Sequence, residues 1–173
     1  LWYIYLTLTV TCALAYWLAG MNAFDALTHS FSTVAIGGFS THDASLGYFN
    51  NAAIETIAIV FMLLAAVNFG LHFQTARTFR QKHYKASLLH YWRDEEFRFF
   101  LSVMAIISFI TVATLWLTND MTLNDSFRQG VFEVVSIATT TGYATADFAL
   151  WPPMLGFSLF SAAFMGGCAG STG

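Results

Sequence analysis

The sequence predicts an all-α membrane protein in which one unit occurs twice: an outer helix, a short re-entrant helix with its loop, and an inner helix. Three observations predict this fold class, namely an apolar composition, uncharged runs of about 20 residues and an internal repeat. Of the 173 residues, 57% are hydrophobic and 10% are charged, and a chain of this size has too little interior to bury so much apolar surface. The composition therefore excludes a soluble enzyme and a disordered segment. The net charge of −3 excludes a nucleic-acid-binding protein, which would carry a basic surface.

The apolar runs predict the membrane-spanning helices. A helix needs about 20 apolar residues to cross the hydrocarbon core of a bilayer. Residues 1–19 and 99–118 carry no charge, and residues 52–71 carry only Glu55. We therefore expect outer helices over 1–20 and 98–118 and inner helices over 51–75 and from residue 152, the last breaking up into glycines. Because the chain begins in an apolar run and stops among glycines, we expect a piece of a longer multi-pass protein.

The basic residues predict the orientation. Six of the seven Lys and Arg residues lie between the second and third apolar runs: Arg77, Arg80, Lys82, Lys85, Arg93 and Arg98. By the positive-inside rule, this linker, residues 76–97, is cytoplasmic. The intervals 22–51 and 122–150 then open to the outside, and their mixed polarity is typical of re-entrant segments. Each begins with a helix-capping pattern, at Asn22 and at Thr122, with an aspartate three residues later.

The two re-entrant intervals are related by an offset of 104 residues. Phe31–Asp43 aligns with Val135–Asp147, with identities at Ser32/Ser136, Gly38/Gly142, Thr41/Thr145 and Asp43/Asp147. In both copies a glycine precedes an aromatic residue, and glycine permits backbone torsions that turn successive carbonyls toward one axis. Rings of such carbonyls can replace the hydration shell of a potassium ion. Asp43 and Asp147 would then attract cations at the outer mouth.

These motifs resemble those of a known family. Thr140-Thr141-Gly142-Tyr143-Ala144 resembles the Thr-Val-Gly-Tyr-Gly filter of potassium channels, and Ile36-Gly37-Gly38-Phe39-Ser40 is a looser version. Repeated units with single-glycine filters, together with the stretch 166–173, resemble the Trk/Ktr/HKT superfamily of potassium transporters over essentially the whole chain. In that family four units surround one pore. The resemblance implies a first unit over 1–75 and a second, truncated unit over 98–173.

The resemblance also implies roles for individual residues. Pore helices are expected over about 22–35 and 123–138, followed by filters at 36–40 and 140–144. The filter carbonyls would belong to Ile36, Gly37, Gly38, Phe39, Thr140, Thr141, Gly142 and Tyr143. An intramembrane gating loop would comprise Gly166, Gly167, Cys168, Ala169, Gly170, Ser171, Thr172 and Gly173. Glu133, in the second pore helix, is expected to support the filter by hydrogen bonding, with Arg128 as a candidate partner.

The expected function is potassium uptake across the bacterial inner membrane, driven by the membrane potential and gated by the glycine-rich loop. Potassium would be the transported ion, with no bound organic cofactor. The family resemblance further implies a homodimer in the lipid bilayer and a cytosolic nucleotide-binding regulatory subunit of the TrkA type, with no nucleic-acid partner.

Three alternatives remain open from the sequence. The first is a sodium/potassium or cation–proton co-transporter of the same superfamily. The second is an intramembrane metal-dependent enzyme using His29, His42 and Asp43, although the chain contains no H-E-x-x-H motif. The third is a receptor or scaffold whose re-entrant loops have no transport role.

Overall fold

The computed structural model describes residues 2–80, 90–118, 121–164 and 166–172. Helices and turns, with no strand, make up this described part. The helices are α1 (Trp2–Leu18), α2 (Ala23–Val34), α3 (Ala52–Ala65), α4 (Phe69–Arg80), α5 (Glu95–Thr118), α6 (Leu123–Ala138) and α7 (Pro153–Ala163), with short 3₁₀-helices at Ser45–Phe49 and Phe148–Leu150. Lys82 and Lys85 of the predicted linker, and Gly173 of the predicted gating loop, lie outside the described residues.

The two short helices, α2 and α6, begin at the capping residues that the sequence indicates. The side-chain oxygen of Asn22 accepts a hydrogen bond from the Asp25 amide at 2.8 Å, and Thr122 Oγ1 accepts one from the Asp125 amide at 3.1 Å. Each cap satisfies an amide that the first helical turn leaves without a partner. Helix α2 packs on α1, and α6 packs on α5. Both repeats therefore have an outer helix, a short capped helix, a loop, a 3₁₀-helix and an inner helix in the same order.

The first inner helix is broken, whereas the sequence predicts one continuous helix over 51–75. Helix α3 ends at Ala65, and the chain turns by 96° before α4. At the break, the side-chain oxygen of Asn68 accepts a hydrogen bond from the Gly70 amide at 2.7 Å and caps α4. Asparagine side chains compete in this way with the helical backbone. In the structure, the region of the predicted inner helix is thus divided into two helices.

Only part of the predicted set of membrane spans has the length of a full crossing. Among the described helices, α5, with 24 residues, is long and apolar enough to cross a bilayer, and α3 with α4 would add a second span if the bent pair is counted as one. Helices α1 and α7 are apolar but shorter, with 17 and 11 residues. Large apolar side chains nevertheless lie on the outside of α1, α5 and α7, including Leu6, Leu14, Ile106, Phe109, Phe157 and Phe160. Such a surface fits lipid or further protein better than water.

The buried core lies where the two repeats meet. Helix α3 of the first repeat packs against α6 of the second. Tyr16, Met62, Phe132 and Tyr143 are almost completely buried in this core. The core thus holds the loops that follow α2 and α6 in fixed positions relative to one another.

Candidate functional site

The loops after α2 and α6 adopt the same strained backbone at equivalent positions. In the first loop φ is positive at Ile36 (51°) and Gly38 (65°), and in the second at Thr140 (62°) and Gly142 (85°). These residues are paired by the 104-residue offset of the repeat. The residue between them in each loop is not among those with positive φ, so the sign of φ alternates along both loops. Because isoleucine and threonine are β-branched, positive φ is a true outlier for both, and such strain is concentrated at functional sites.

The two loops are in direct contact through Gly38. A Cβ atom added there would lie 2.9 Å from the carbonyl carbon of Thr141, closer still to its oxygen, and 3.1 Å from the carbonyl carbon of Gly142. The Gly38 backbone therefore lies against the Thr141–Gly142 peptide, and only a residue without a side chain fits. The loops form one site, as a shared passage requires.

Tyr143 anchors the second loop in the first repeat. Its side chain is 1% exposed, its hydroxyl donates to the His29 carbonyl at 3.2 Å, and it lies 3.3 Å from Thr33 Oγ1. The equivalent residue of the first loop, Phe39, is 82% exposed. The carbonyl oxygen of Tyr143, one of the predicted filter oxygens, accepts a hydrogen bond from Ser136 Oγ of α6 at 2.6 Å.

A polar cluster holds the outer arm of the first loop. Asp25 accepts hydrogen bonds from Thr41 Oγ1 at 2.6 Å and from His42 Nε2 at 3.1 Å. Burial alone would raise the pKa of Asp25, but these hydrogen bonds outweigh it and the pKa is lowered from its ordinary value. His29 Nδ1 lies 2.8 Å from the Asp25 carbonyl oxygen, and its Nε2 lies 2.9 Å from Ser40 Oγ. Since a carbonyl only accepts, Nδ1 carries the proton and Nε2 accepts from Ser40.

Glu133 holds the outer arm of the second loop in the same way. Its carboxylate is completely buried. One of its oxygens accepts hydrogen bonds from the Thr145 amide at 2.7 Å, Thr145 Oγ1 at 3.2 Å and the Ala146 amide at 3.1 Å. By the 104-residue offset, Glu133 occupies the repeat position of His29. One position of each short helix therefore contacts the outer arm of its own loop, with different chemistry in the two repeats.

Arg128 is paired with Glu55 and not with Glu133, which corrects the expected pairing. Arg128 Nε and Nη2 donate to the two oxygens of Glu55 at 2.6 Å and 2.7 Å, and Nη2 also donates to Asn50 Oδ1 at 2.9 Å. The Glu55 side chain is 5% exposed. This bidentate pair joins α6 of the second repeat to α3 of the first. The sequence signal for it was a carboxylate inside an otherwise uncharged run.

The outer aspartates face a common cavity. Asp43 and Asp147 are both exposed, and both line a cavity of about 440 Å³ between the outer arms of the two loops. The arms are joined beside it, because the Gly47 amide donates to the Ala144 carbonyl at 3.1 Å and the Ala144 amide donates to Ser45 Oγ at 3.2 Å. The structure thus brings the two predicted outer-mouth residues to one opening.

The glycine-rich stretch 166–172 docks on the break in the first inner helix. The Cys168 amide donates to the Ala66 carbonyl at 2.8 Å, and the Thr172 amide donates to the Ala65 carbonyl at 3.3 Å. These carbonyls lost their helical partners when α3 ended, so the stretch satisfies groups that the break exposed. A Cβ on Gly167 would lie 2.9 Å from the Ala66 oxygen, so glycine permits the close approach.

The residues of the alternative enzyme hypothesis do not form a metal site. His29 and His42 come closer than the sequence suggested, with ring centroids 6.3 Å apart. Both nitrogens of His29 are used within the protein, and His42 is bound to Asp25. Within the described ranges, no group of three or more His, Cys, Asp or Glu side chains is placed to hold a metal ion.

Comparisons with known proteins give one consistent result. The family model described as "TrkH: Cation transport protein" matches residues 1–173. The Trk system potassium uptake protein TrkH of Halomonas elongata is 60% identical over 173 residues, which are 100% of this chain and 34% of that protein. The protein of the same name from Escherichia coli (strain K12) is 51% identical over 178 residues, covering 100% of this chain and 35% of that protein.

A solved structure has the same fold. The crystal structure of the potassium transporter TrkH from Vibrio parahaemolyticus superimposes with a TM-score of 0.91 at 50% identity, covering 99% of this chain and 36% of that one. The predicted resemblance and the predicted fold class, an all-α membrane protein with repeated pore-helix units, are confirmed. The chain spans about a third of the length of the relatives that it matches.

Proposed function

Because this chain belongs to the TrkH family of cation transport proteins, we propose that its two loops form half of a filter through which potassium ions enter the cell. The observation that carries the proposal is the pair of loops with matched left-handed residues, in contact at Gly38. Relatives named as potassium uptake proteins support potassium as the ion. Two further loops of the same kind would complete the ring around the pore.

The mechanism rests on backbone oxygens. Alternating torsions direct carbonyls of residues 36–39 and 140–142 toward the passage, where they replace water around a dehydrated potassium ion. The C-terminal ends of α2 and α6 lead into the loops, and the partial negative charge of these helix ends favours a cation. Asp43 and Asp147 raise the local concentration of cations at the outer opening. The membrane potential contributes about 2.3 kcal/mol per charge per 100 mV.

The glycine-rich stretch 166–172 is proposed as the gate of this passage. It interrupts the second inner helix after α7, and irregular backbone at membrane depth is tolerated where it is buried or lines water. We further propose location in the bacterial inner membrane, a homodimer and a cytosolic nucleotide-binding regulatory subunit. The family assignment supports all three proposals, and the basic residues Arg77, Arg93 and Arg98 support a cytoplasmic position for the linker.

Ion uptake tests the proposal. Cells deficient in potassium transport that express the transporter carrying this sequence should take up potassium or rubidium. Replacing Gly142→Ser should lower the discrimination of potassium over sodium, because Gly142 lies in the filter and has a positive φ. The matched control is Gly156→Ser, the same change on an exposed helix face with no atom within 4 Å of the new Cβ. An unchanged ratio in the Gly142 variant contradicts the filter assignment.

The same assay separates the alternatives. A cation–proton or sodium co-transporter loses uptake when the proton or sodium gradient is collapsed at constant membrane potential, whereas the proposed passive filter does not. A receptor or scaffold gives no uptake in any of these conditions.

A further inference from the structure

The glycine-rich stretch 166–172 is held by two sets of contacts, one to the first repeat and one to α5. Toward the first repeat, most contacts are between backbone groups: the amides of Cys168 and Thr172 donate to carbonyls at the end of α3, and the Phe69 amide donates to the Gly170 carbonyl at 3.0 Å. Thr172 Oγ1 also donates to the Ala65 carbonyl at 3.2 Å. Toward the second repeat, the contact comes from a side chain. The Ala169 amide donates to Glu96 Oε1 at 2.6 Å. The second contact joins the stretch to the first turn of α5.

The contact with Glu96 has the properties of a reversible attachment. Glu96 lies in the first turn of α5, where the positive end of the helix dipole favours a carboxylate, and a hydrogen bond from an amide to a carboxylate is charge-assisted. Glu96 and Ala169 are both exposed. When the bond opens, water can form hydrogen bonds with both groups. The free energy lost is therefore smaller than on opening the bonds to the carbonyls of Ala65 and Ala66, because these two residues are buried.

The surroundings give the stretch freedom to move once this contact is released. Gly166 and Gly170 flank Ala169 and have positive φ values of 60° and 81°, so the backbone on either side has torsional freedom. A cavity of about 220 Å³ lies beside the contact, lined by Glu96, Phe99, Phe100, Gly167 and Cys168. The stretch therefore has both hinges and adjacent space on the α5 side.

We propose that Glu96 is a positioning residue that latches the glycine-rich stretch in its docked conformation, and that loss of its hydrogen bond releases the stretch. The inference rests on the proposed function only in treating the stretch as a gate. The latch itself is the hydrogen bond from the Ala169 amide to the Glu96 carboxylate.

Cys168 is a natural reporter of the latch, since its residue is 5% exposed and next to Ala169. In the complete transporter, with every other cysteine replaced by serine, we measure the rate at which a water-soluble methanethiosulfonate modifies Cys168 from the cytoplasmic side. Glu96→Ala should raise this rate several-fold. Glu96→Gln, which keeps an oxygen acceptor but removes the charge, should give an intermediate rate. The matched control, Glu95→Ala, removes an exposed carboxylate of the same turn and should leave the rate unchanged.

The outcomes separate the latch from the gate. Equal modification rates in Glu96→Ala and the parent overturn the latch, as does an equal increase in Glu95→Ala. If Glu96→Ala folds poorly, Glu96→Gln carries the test. Rubidium flux is measured on the same variants: faster modification with higher flux supports both latch and gate. Faster modification with unchanged flux supports the latch and overturns the assignment of the stretch as the gate.

Discussion

The contact between the two loops at Gly38 predicts different consequences for two chemically identical substitutions. Gly38 and Gly142 both have positive φ, so alanine at either position carries a backbone penalty of roughly 1–2 kcal/mol. At Gly142 nothing lies within 4 Å of the new Cβ, and that penalty is the whole cost. At Gly38 the new Cβ would overlap the Thr141 carbonyl and lie 3.1 Å from the Gly142 carbonyl carbon. The two loops must therefore separate before alanine can fit.

The separation displaces the carbonyls that the proposed filter uses. Gly38→Ala should therefore reduce the potassium-to-sodium flux ratio much more than Gly142→Ala. About 1.4 kcal/mol corresponds to a tenfold change in an equilibrium, so a penalty of roughly 1–2 kcal/mol limits the effect of Gly142→Ala to about 5- to 30-fold, and we expect a larger effect for Gly38→Ala. Flux of both ions into proteoliposomes measures the ratio, with thermal unfolding in detergent on the same samples.

The control for this pair is Gly156→Ala, an exposed helical glycine with open space around it. It should leave the flux ratio unchanged and stabilise α7 slightly, because alanine is favoured over glycine in helices by about 1 kcal/mol. Equal flux ratios in Gly38→Ala and Gly142→Ala would refute the reasoning, since the added collision at Gly38 would then have no consequence.

Two further variants test the contacts around the loops. Arg128→Met should lower the free energy of unfolding by up to about 3 kcal/mol, measured by thermal unfolding, because it leaves the buried Glu55 carboxylate unpaired. Adding Glu55→Leu should recover most of that loss. Additive losses in the double variant would contradict the pairing. Asp25 has a lowered pKa, so the stabilisation from its charged form is present above the unfolded pKa of about 3.9 and is lost as the pH falls through the lower folded value. The unfolding temperature of the parent protein should therefore drop in acid. The Asp25→Asn variant should have a lower unfolding temperature at neutral pH and should lack that acid-dependent drop. An identical pH profile in the two proteins would contradict the role of the carboxylate.

Features governed by neighbouring residues could be predicted from the sequence. The starts of α2 and α6 follow from a capping side chain and an aspartate three residues later. The glycine before an aromatic residue in each loop indicates backbone torsions that other residues rarely adopt. The 104-residue repeat then placed both loops in equivalent positions. The capping and glycine signals are local, and the repeat is a comparison of two such local patterns.

Features that depend on distant partners could not be predicted in this way. Helix α3 ends where Asn68 caps α4, but the freed carbonyl of Ala65 is tolerated because Thr172, 107 residues later, donates to it. The pairing of Arg128 with Glu55 likewise joins residues 73 apart. Sequence pattern indicates that such charged and polar groups need partners within an apolar protein, but several acceptors satisfy the same requirement. The choice between them is made by tertiary packing.

The docking of the glycine-rich stretch on the end of α3 has a consequence for biosynthesis. Until residues 168–172 have been made, the carbonyls of Ala65 and Ala66 have no donor, and bare carbonyls in lipid are costly. A nascent chain that stops before α7 should therefore keep α3 and α4 as one straight helix, which supplies those hydrogen bonds internally. The 96° bend is then a late event of assembly, imposed when the second repeat arrives. Distances between spin labels on α3 and α4 should shorten only after the chain extends beyond residue 172.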